Sequence, residues 1–250
     1  MIYYIPVRIG ILINERGGMT VKKYSIGILI VACLLALDCT NRIMINPEYK
    51  SKAINGKQLH VEMVGQTKID YEGNMDNEFS KEGRYGKIRT LICSTAVKTI
   101  KESSTFVSVD MAPVDCKSFY PKKLKWSDDS GEFIMKIPDD TCYSASDSQS
   151  IFLFIEQTTV TSHPTVQLIM INFIPIGAIP HKPLTIAGRF VYWDVAAKKP
   201  IAWGKASGAY DQGAGVTMVN WLNAACDFSL NMIKDSPFDP AYNQTKKSRK

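Results

Sequence analysis

A chain of 250 residues with 45% hydrophobic content and four tryptophans has enough apolar surface for a buried core, which excludes wholesale disorder. Lys and Arg number 30 against 24 Asp and Glu, a net charge of +6. Four cations (Arg8, Arg16, Lys22, Lys23) and one anion (Glu15) precede Cys33, leaving 26 against 23, and Lys246, Lys247, Arg249 and Lys250 crowd the C-terminus, so the body is near neutral and lacks the basic face that a nucleic-acid role needs.

The N-terminal stretch reads as an address. Lys22 and Lys23 precede an uncharged apolar run from Ile26 to Leu37 and then Asp38-Cys39 and a polar segment. A short positive region, an apolar run and a cysteine have the layout of an export signal. The run is shorter than the roughly 20 residues of a membrane span, so a cleaved signal is expected rather than a lasting helix. Because Met19-Thr20-Val21-Lys22-Lys23 supplies the positive region, synthesis is expected to start at Met19. In the alternative, Met1 is the start and Ile2 to Ile13 is an apolar extension.

Two cysteines compete for an acyl group. Ile30-Val31-Ala32-Cys33 has a small residue at the cleavage position, whereas Ala36-Leu37-Asp38-Cys39 stands at the end of the apolar run but has Asp38 there. Lipidation is therefore expected at Cys39 or Cys33, with ordinary cleavage to a soluble periplasmic protein as the other reading. Two acyl chains, at about 0.8 kcal/mol per buried methylene, would hold a domain stably to a bilayer.

These features divide the chain into an extension and signal over 1–38, a flexible tether over 39–56, one periplasmic domain over 57–236 and a basic disordered tail over 237–250. Cys116 and Cys142 lie in loop-like sequence and are the pair expected to be bridged in an oxidising compartment. Cys93 and Cys226 fall on apolar helix faces, where a free buried thiol acts as a small hydrophobe. No cysteine or histidine spacing argues for a metal, and no cofactor motif is present: Gly213-Ala214-Gly215 precedes a helix but lacks the third glycine and the Lys-Ser/Thr of phosphate loops.

Within the domain, Lys57 to Val64 alternates like a strand and turns His60 toward solvent. Ile88, Leu91, Ile92, Thr95, Ala96, Thr99 and Ile100 then recur at helical spacing, and Thr105 to Asp110 follows as a second strand, giving a β-α-β start with parallel strands. Leu124 to Ile137 reads as a hairpin around Ser127 to Gly131, whose aspartates are turn residues rather than a calcium loop. Ile151 to Val160 begins with five consecutive apolar residues, as in a central strand covered on both faces.

Val166 to Pro180 is nearly all apolar, yet Pro175, Gly177 and Pro180 break any helix, so it reads as a loop that must pack on its own domain, a partner or a membrane surface. Ile169, Met170, Phe173, Ile174 and Ile176 are its candidate partner-binding residues. Arg189 to Val195 and Pro200 to Ala206 flank a turn as a C-terminal hairpin. Thr217 caps a closing helix to Lys234, with Met218, Leu222, Ala225, Cys226, Leu230 and Ile233 as its expected buried stripe. The fold class is α/β (α+β): a single open mixed sheet with a β-α-β start, a C-terminal hairpin and a closing helix packed on it.

This order, with Asp194, Lys198 or Lys199, Trp203 and Gly204 placed around the hairpin, resembles the superfamily of the curli-assembly and penicillin-binding-protein-activator lipoproteins. The resemblance covers residues 57–235 as topology and the hairpin in sequence. The 166–180 run does not match it, and the long alternating strands of a pore-forming member are absent from the sequence. The resemblance implies an exported, acylated protein that works by binding envelope partners or by oligomerising. The expected function is thus a non-catalytic, lipid-anchored envelope protein, in the outer membrane facing the periplasm, whose domain binds another envelope protein. An oligomeric outer-membrane assembly or secretion platform is the alternative, and a periplasmic enzyme the second. Only His60, His163 and His181 could serve as histidine bases, and no nucleophile motif accompanies them.

Overall fold

A computed structural model describes residues 42–50, 54, 56–71, 83–111, 119–127, 131–139, 142–143, 149–162, 165–171, 174–181, 183–210 and 216–242, with the backbone alone for 42, 71, 126–127, 131–133, 165–171 and 174–181. In chain order the elements are β1 (Arg42–Ile45), β2 (Gln58–Val64), β3 (Lys68–Tyr71), α1 (Arg84–Ser103), β4 (Ser108–Met111), β5 (Phe119–Ser127), β6 (Gly131–Pro138), β7 (Ile151–Ser162), β8 (Thr165–Ile171), β9 (Ile174–His181), β10 (Leu184–Asp194), β11 (Lys199–Tyr210) and α2 (Met218–Ile233).

The main sheet has seven strands in the order β1-β11-β10-β7-β2-β4, with β3 also paired to β7. β2 runs parallel to β4 and β7, and β3 parallel to β7, while the pairs β1–β11, β11–β10 and β10–β7 are antiparallel. It is the open mixed sheet that the sequence predicts. The apolar β7 lies inside it, and the crossover β2-α1-β4 makes the expected parallel pair.

Period two sorts the sheet into two faces. Leu59, Val61, Leu153, Ile155, Phe190, Tyr192 and Ala206 turn to one side and join Ile88, Ile92, Ala96, Trp221, Phe228 and Met232 of the two helices in one core cluster. Val64, Phe152, Phe154, Val191, Trp193 and Trp203 turn to the other and meet Leu124, Met135 and Ile137 of the β5–β6 hairpin. Helix α2 lies very close to β11, because a Cβ on Gly208 would stand 2.0 Å from the Phe228 amide nitrogen and 2.3 Å from the Ala224 oxygen. Only glycine permits that approach. A capping box between Thr217 and Asn220 starts α2.

Four expectations need correction. The 39–56 tether is not free chain: Arg42–Ile45 pairs with β11, and Tyr49 is buried and donates to Asp194 Oδ2 at 3.0 Å. Four residues, a cation and three apolar side chains, suffice for an edge strand when a long partner is waiting. The tail starts later than 237, because fully buried Phe238 stacks on Phe106 at 4.5 Å and lies tilted against Tyr192 at 4.6 Å.

Residues 165–181 are not an irregular loop but a hairpin, β8 paired with β9 from Thr165↔His181 to Ile171↔Ile174. Its register continues that of β7 with β10, whose last pair is Thr161↔Thr185. The prolines stop a helix but not an edge strand. On α2, Ala225 and Ile233 of the expected stripe are buried, but Leu222 and Leu230 are exposed, and Trp221, Ala224, Phe228 and Met232 complete the buried side. Apolar residues on both sides of this helix make its wheel ambiguous in sequence.

Candidate functional site

On the face away from the helices the parallel strands bring three polar residues together. His60 and Asp110 are register partners on β2 and β4, and Ser150 directly precedes β7. His60 Nδ1 stands 2.5 Å from Asp110 Oδ1, and its Nε2 stands 3.2 Å from Ser150 Oγ. With the carboxylate accepting from Nδ1–H, Nε2 is the acceptor for the serine hydroxyl. The ring leans on Phe152 at 4.9 Å between centroids, and Tyr143 meets Phe152 edge-on at 5.3 Å.

The connectivity is that of an acid-base-nucleophile triad, but the exposure runs the other way. The Asp110 side chain is 54% exposed, His60 13%, and Ser150 2%. A nucleophile has to meet its substrate. Here the hydroxyl is sealed and the carboxylate is wet, so the chain of bonds can tie edge strand β4 to the sheet, yet offers no attacking atom. The structure thereby corrects the solvent-facing histidine, whose ring is largely covered. The signal lies in the register of β2 against β4, which no single stretch of sequence contains.

The same face buries Glu156 beside Lys136 and Arg189. Burial pushes its carboxyl pKa up, against a backbone hydrogen bond from Lys136 and the charges of Lys136 and Arg189. Its Oε2 is buried and has no hydrogen-bond partner among the described residues.

The hairpin residues quoted for the resemblance are structural. Asp194 accepts from Tyr49 and from the Ala197 amide at 3.1 Å, which fixes the turn in which Lys198 takes a φ of 52°. Lys199 pairs with Glu48 at 3.0 Å, Trp203 Nε1 donates to the Lys125 carbonyl at 2.7 Å, and Gly204 sits in β11 opposite Phe190. Burial and then Asp194 push the Tyr49 hydroxyl pKa up.

Cys142 is disulfide-bonded, while Cys116, Cys33 and Cys39 lie outside the described residues. Cys93 and Cys226 are free thiols; Cys93 is buried, and burial pushes its pKa up to about 11. Ile169 and Met170 fall on β8, and Ile174 and Ile176 on β9; Phe173 lies outside the described residues. Among the described residues no group of three or more metal-ligating side chains occurs, and no helix is long and apolar enough to cross a membrane.

Among the described residues the fold is α+β, with two α-helices on one face of an open mixed sheet and the β5–β6 hairpin on the other. No family model and no curated protein matches the chain. Among solved structures it is similar to a neuraminyllactose-binding hemagglutinin homolog from Helicobacter pylori, with 7% identity, 78% of this chain and 89% of that chain covered, and a TM-score of 0.36. It is also similar to the PelC dodecamer from Paraburkholderia phytofirmans. In one crystal form the identity is 12%, the coverage 76% and 94%, and the TM-score 0.34. For a variant of the same protein the identity is 12%, the coverage 76% and 95%, and the TM-score 0.32.

Proposed function

We propose that this chain is an exported, lipid-anchored envelope protein of non-catalytic type, facing the periplasm from the outer membrane, whose α/β domain binds another envelope protein through the β8–β9 hairpin. The observation that carries the reading is the placement of that hairpin. Its sequence is apolar at most positions of both strands, it prolongs the β7–β10 ladder, and among the described residues it pairs only with itself. An apolar ribbon of this kind is costly to leave in water and is best explained by a partner that covers it. The N-terminal signal layout and the superfamily resemblance support the envelope address, and the sealed hydroxyl of Ser150 supports a binding rather than a catalytic role.

An oligomeric outer-membrane platform is the second reading, favoured by the same ladder, which carries two arms well past the sheet. Pro175 and Pro180 weigh against it, because each removes a donor from β9 and makes it a poor strand for closing a barrel.

The test is photocrosslinking in intact envelopes from Ile169 and Ile176, with a control position at Lys123 on β5. One specific envelope protein captured from the hairpin and not from β5 is the expected result. Capture of nothing, or equal capture from the control, overturns the partner reading, and capture of the chain itself favours the platform. The mass of the N-terminal peptide from membranes checks the anchor separately: a diacylated or triacylated Cys39 or Cys33 is expected, and an unmodified terminus removes it.

A further inference from the structure

The two strands of the β8–β9 hairpin differ at their outer edges. In an antiparallel pair, positions whose backbone N–H and C=O bond across the pair alternate with positions whose groups turn away from it. Proline has no N–H to give the ladder, so Val166↔Pro180 and Met170↔Pro175 are pairs of the second kind. Alternation then turns outward the backbone groups of Val166, Leu168 and Met170 on β8, and those of Pro175, Ala178 and Pro180 on β9. Every member of the first set has an N–H, but in the second set only Ala178 does.

Natural sheets protect an open edge with proline, charge or a bulge. β9 has the prolines and also the bulge, since the register shift between Ile169 and Met170 leaves Ile176 as the extra residue on that strand. β8, with the sequence TVQLIMI, has no proline, no extra residue and no charge. Among the described residues it pairs only with β9. One edge of the ribbon is thus closed by its sequence and the other is left open.

We infer that β8 receives an extended segment of the partner protein as an added strand, an inference that rests on the partner-binding reading of the hairpin. A row of outward N–H and C=O groups repeating about every 7 Å is matched by another extended backbone. A helix has no such row to offer, because its backbone groups are bonded to one another. Lipid has neither donors nor acceptors, and an open sheet edge is not tolerated in it.

The place continues a ladder that the sheet already uses. β8 prolongs β7 in unbroken register, and β9 prolongs β10, so the free edge of β8 lies on the side of β7 where β3 pairs. β3 runs parallel to β7 and its last pair is Tyr71↔Ser162. The added segment takes up the column beyond that pair. Because β8 and β9 contain no Asp, Glu, Lys or Arg, a charge on the incoming segment would find no opposite charge on the ribbon, and the segment is uncharged and apolar where it lies on β8.

In intact envelopes, a photocrosslinker is placed on the full chain at Val166, Leu168 or Met170 in turn, and the crosslinked residues of the captured protein are mapped by mass spectrometry. The expected result is one segment of one other protein, met at positions that step by two residues from each β8 site to the next. With the crosslinker kept at Ile169, Leu168→Pro removes an outward donor and no β8–β9 bond, and it should lower capture on the order of tenfold or more. Ala178→Pro makes the same change at the outer edge of β9 and should leave capture as it was. Capture that persists with Leu168→Pro, that is lost equally with Ala178→Pro, or whose crosslinks are scattered or step by three or four residues overturns the inference alone. No capture from the unsubstituted hairpin, or capture of a second copy of the chain, overturns it together with the partner reading.

Discussion

The two faces of the main sheet are held by different physics. The helix side is one large apolar cluster in which Trp221, Phe228, Tyr192 and Ile92 are fully buried, with Tyr49 of the same cluster bonded to the buried Asp194. The opposite side has a smaller aromatic cluster under the β5–β6 hairpin and, around it, His60, Asp110, Ser150 and Glu156. Apolar burial on the first face is close to independent of pH, whereas the second holds Glu156, whose carboxyl pKa burial pushes up. Stability should therefore be set mainly by one face and its pH dependence by the other.

The largest break in that comparison comes from the helix side. Trp221→Ala should cost about 3 to 5 kcal/mol, the range for emptying a fully buried aromatic site. Denaturant unfolding measures it, and the loss should be the same at pH 5 and pH 8. Gly208→Ala should follow at about 1 to 3 kcal/mol, since the new methyl must push α2 off β11. Thermal unfolding checks this, and an unchanged midpoint would mean that the close approach is not needed.

On the other face Trp203→Phe keeps the ring but removes the donor to the Lys125 carbonyl, for about 1 kcal/mol and a loosened β5–β6 hairpin. Amide exchange at β5 would show it.

The smallest effect should have the opposite sign. Glu156 has a folded pKa raised above its unfolded value, so its contribution is most favourable below the unfolded carboxylate range and is lost as pH rises through the folded pKa. Glu156→Gln should therefore stabilise the protein at pH 7 to 8 by up to about 1 kcal/mol, and the gain should vanish toward pH 4. A gain that does not change with pH would assign the effect to packing.

What was legible in the sequence is what local pattern controls. The change from alternation at Leu59 to helical spacing at Ile88 announces the β-α-β start, and the unbroken run at Ile151 announces an inner strand. The hairpins β5–β6 and β10–β11 follow from their turn residues. What pattern does not control was harder to see. β1 is four residues long and follows a stretch that looks like a tether, so only its pairing with β11 identifies it. The prolines of β9 argue as strongly against a helix as for a loop, and they leave the edge strand unannounced. His60 and Asp110 are 50 residues apart and meet only through strand register. On α2, apolar residues on both sides made Leu222, Cys226 and Leu230 read as the buried stripe, and the buried Trp221 and Phe228 went unseen.

The way the N-terminal strand enters the sheet has a mechanical consequence. β1 runs antiparallel to β11, and its first residue, Arg42, lies opposite Lys205, on the side from which β11 runs on toward Tyr210 and the base of the β8–β9 hairpin. A force applied upstream of Arg42 and directed along the strand loads all four pairs of β1 in shear rather than peeling them one at a time. Directly behind them sit the Asn46 amide on the Ile201 carbonyl, Asn46 Nδ2 on the Pro200 carbonyl and Tyr49 on Asp194. Tension from that end is thus stopped at the sheet's edge strand, before it reaches the packing between the sheet and its helices.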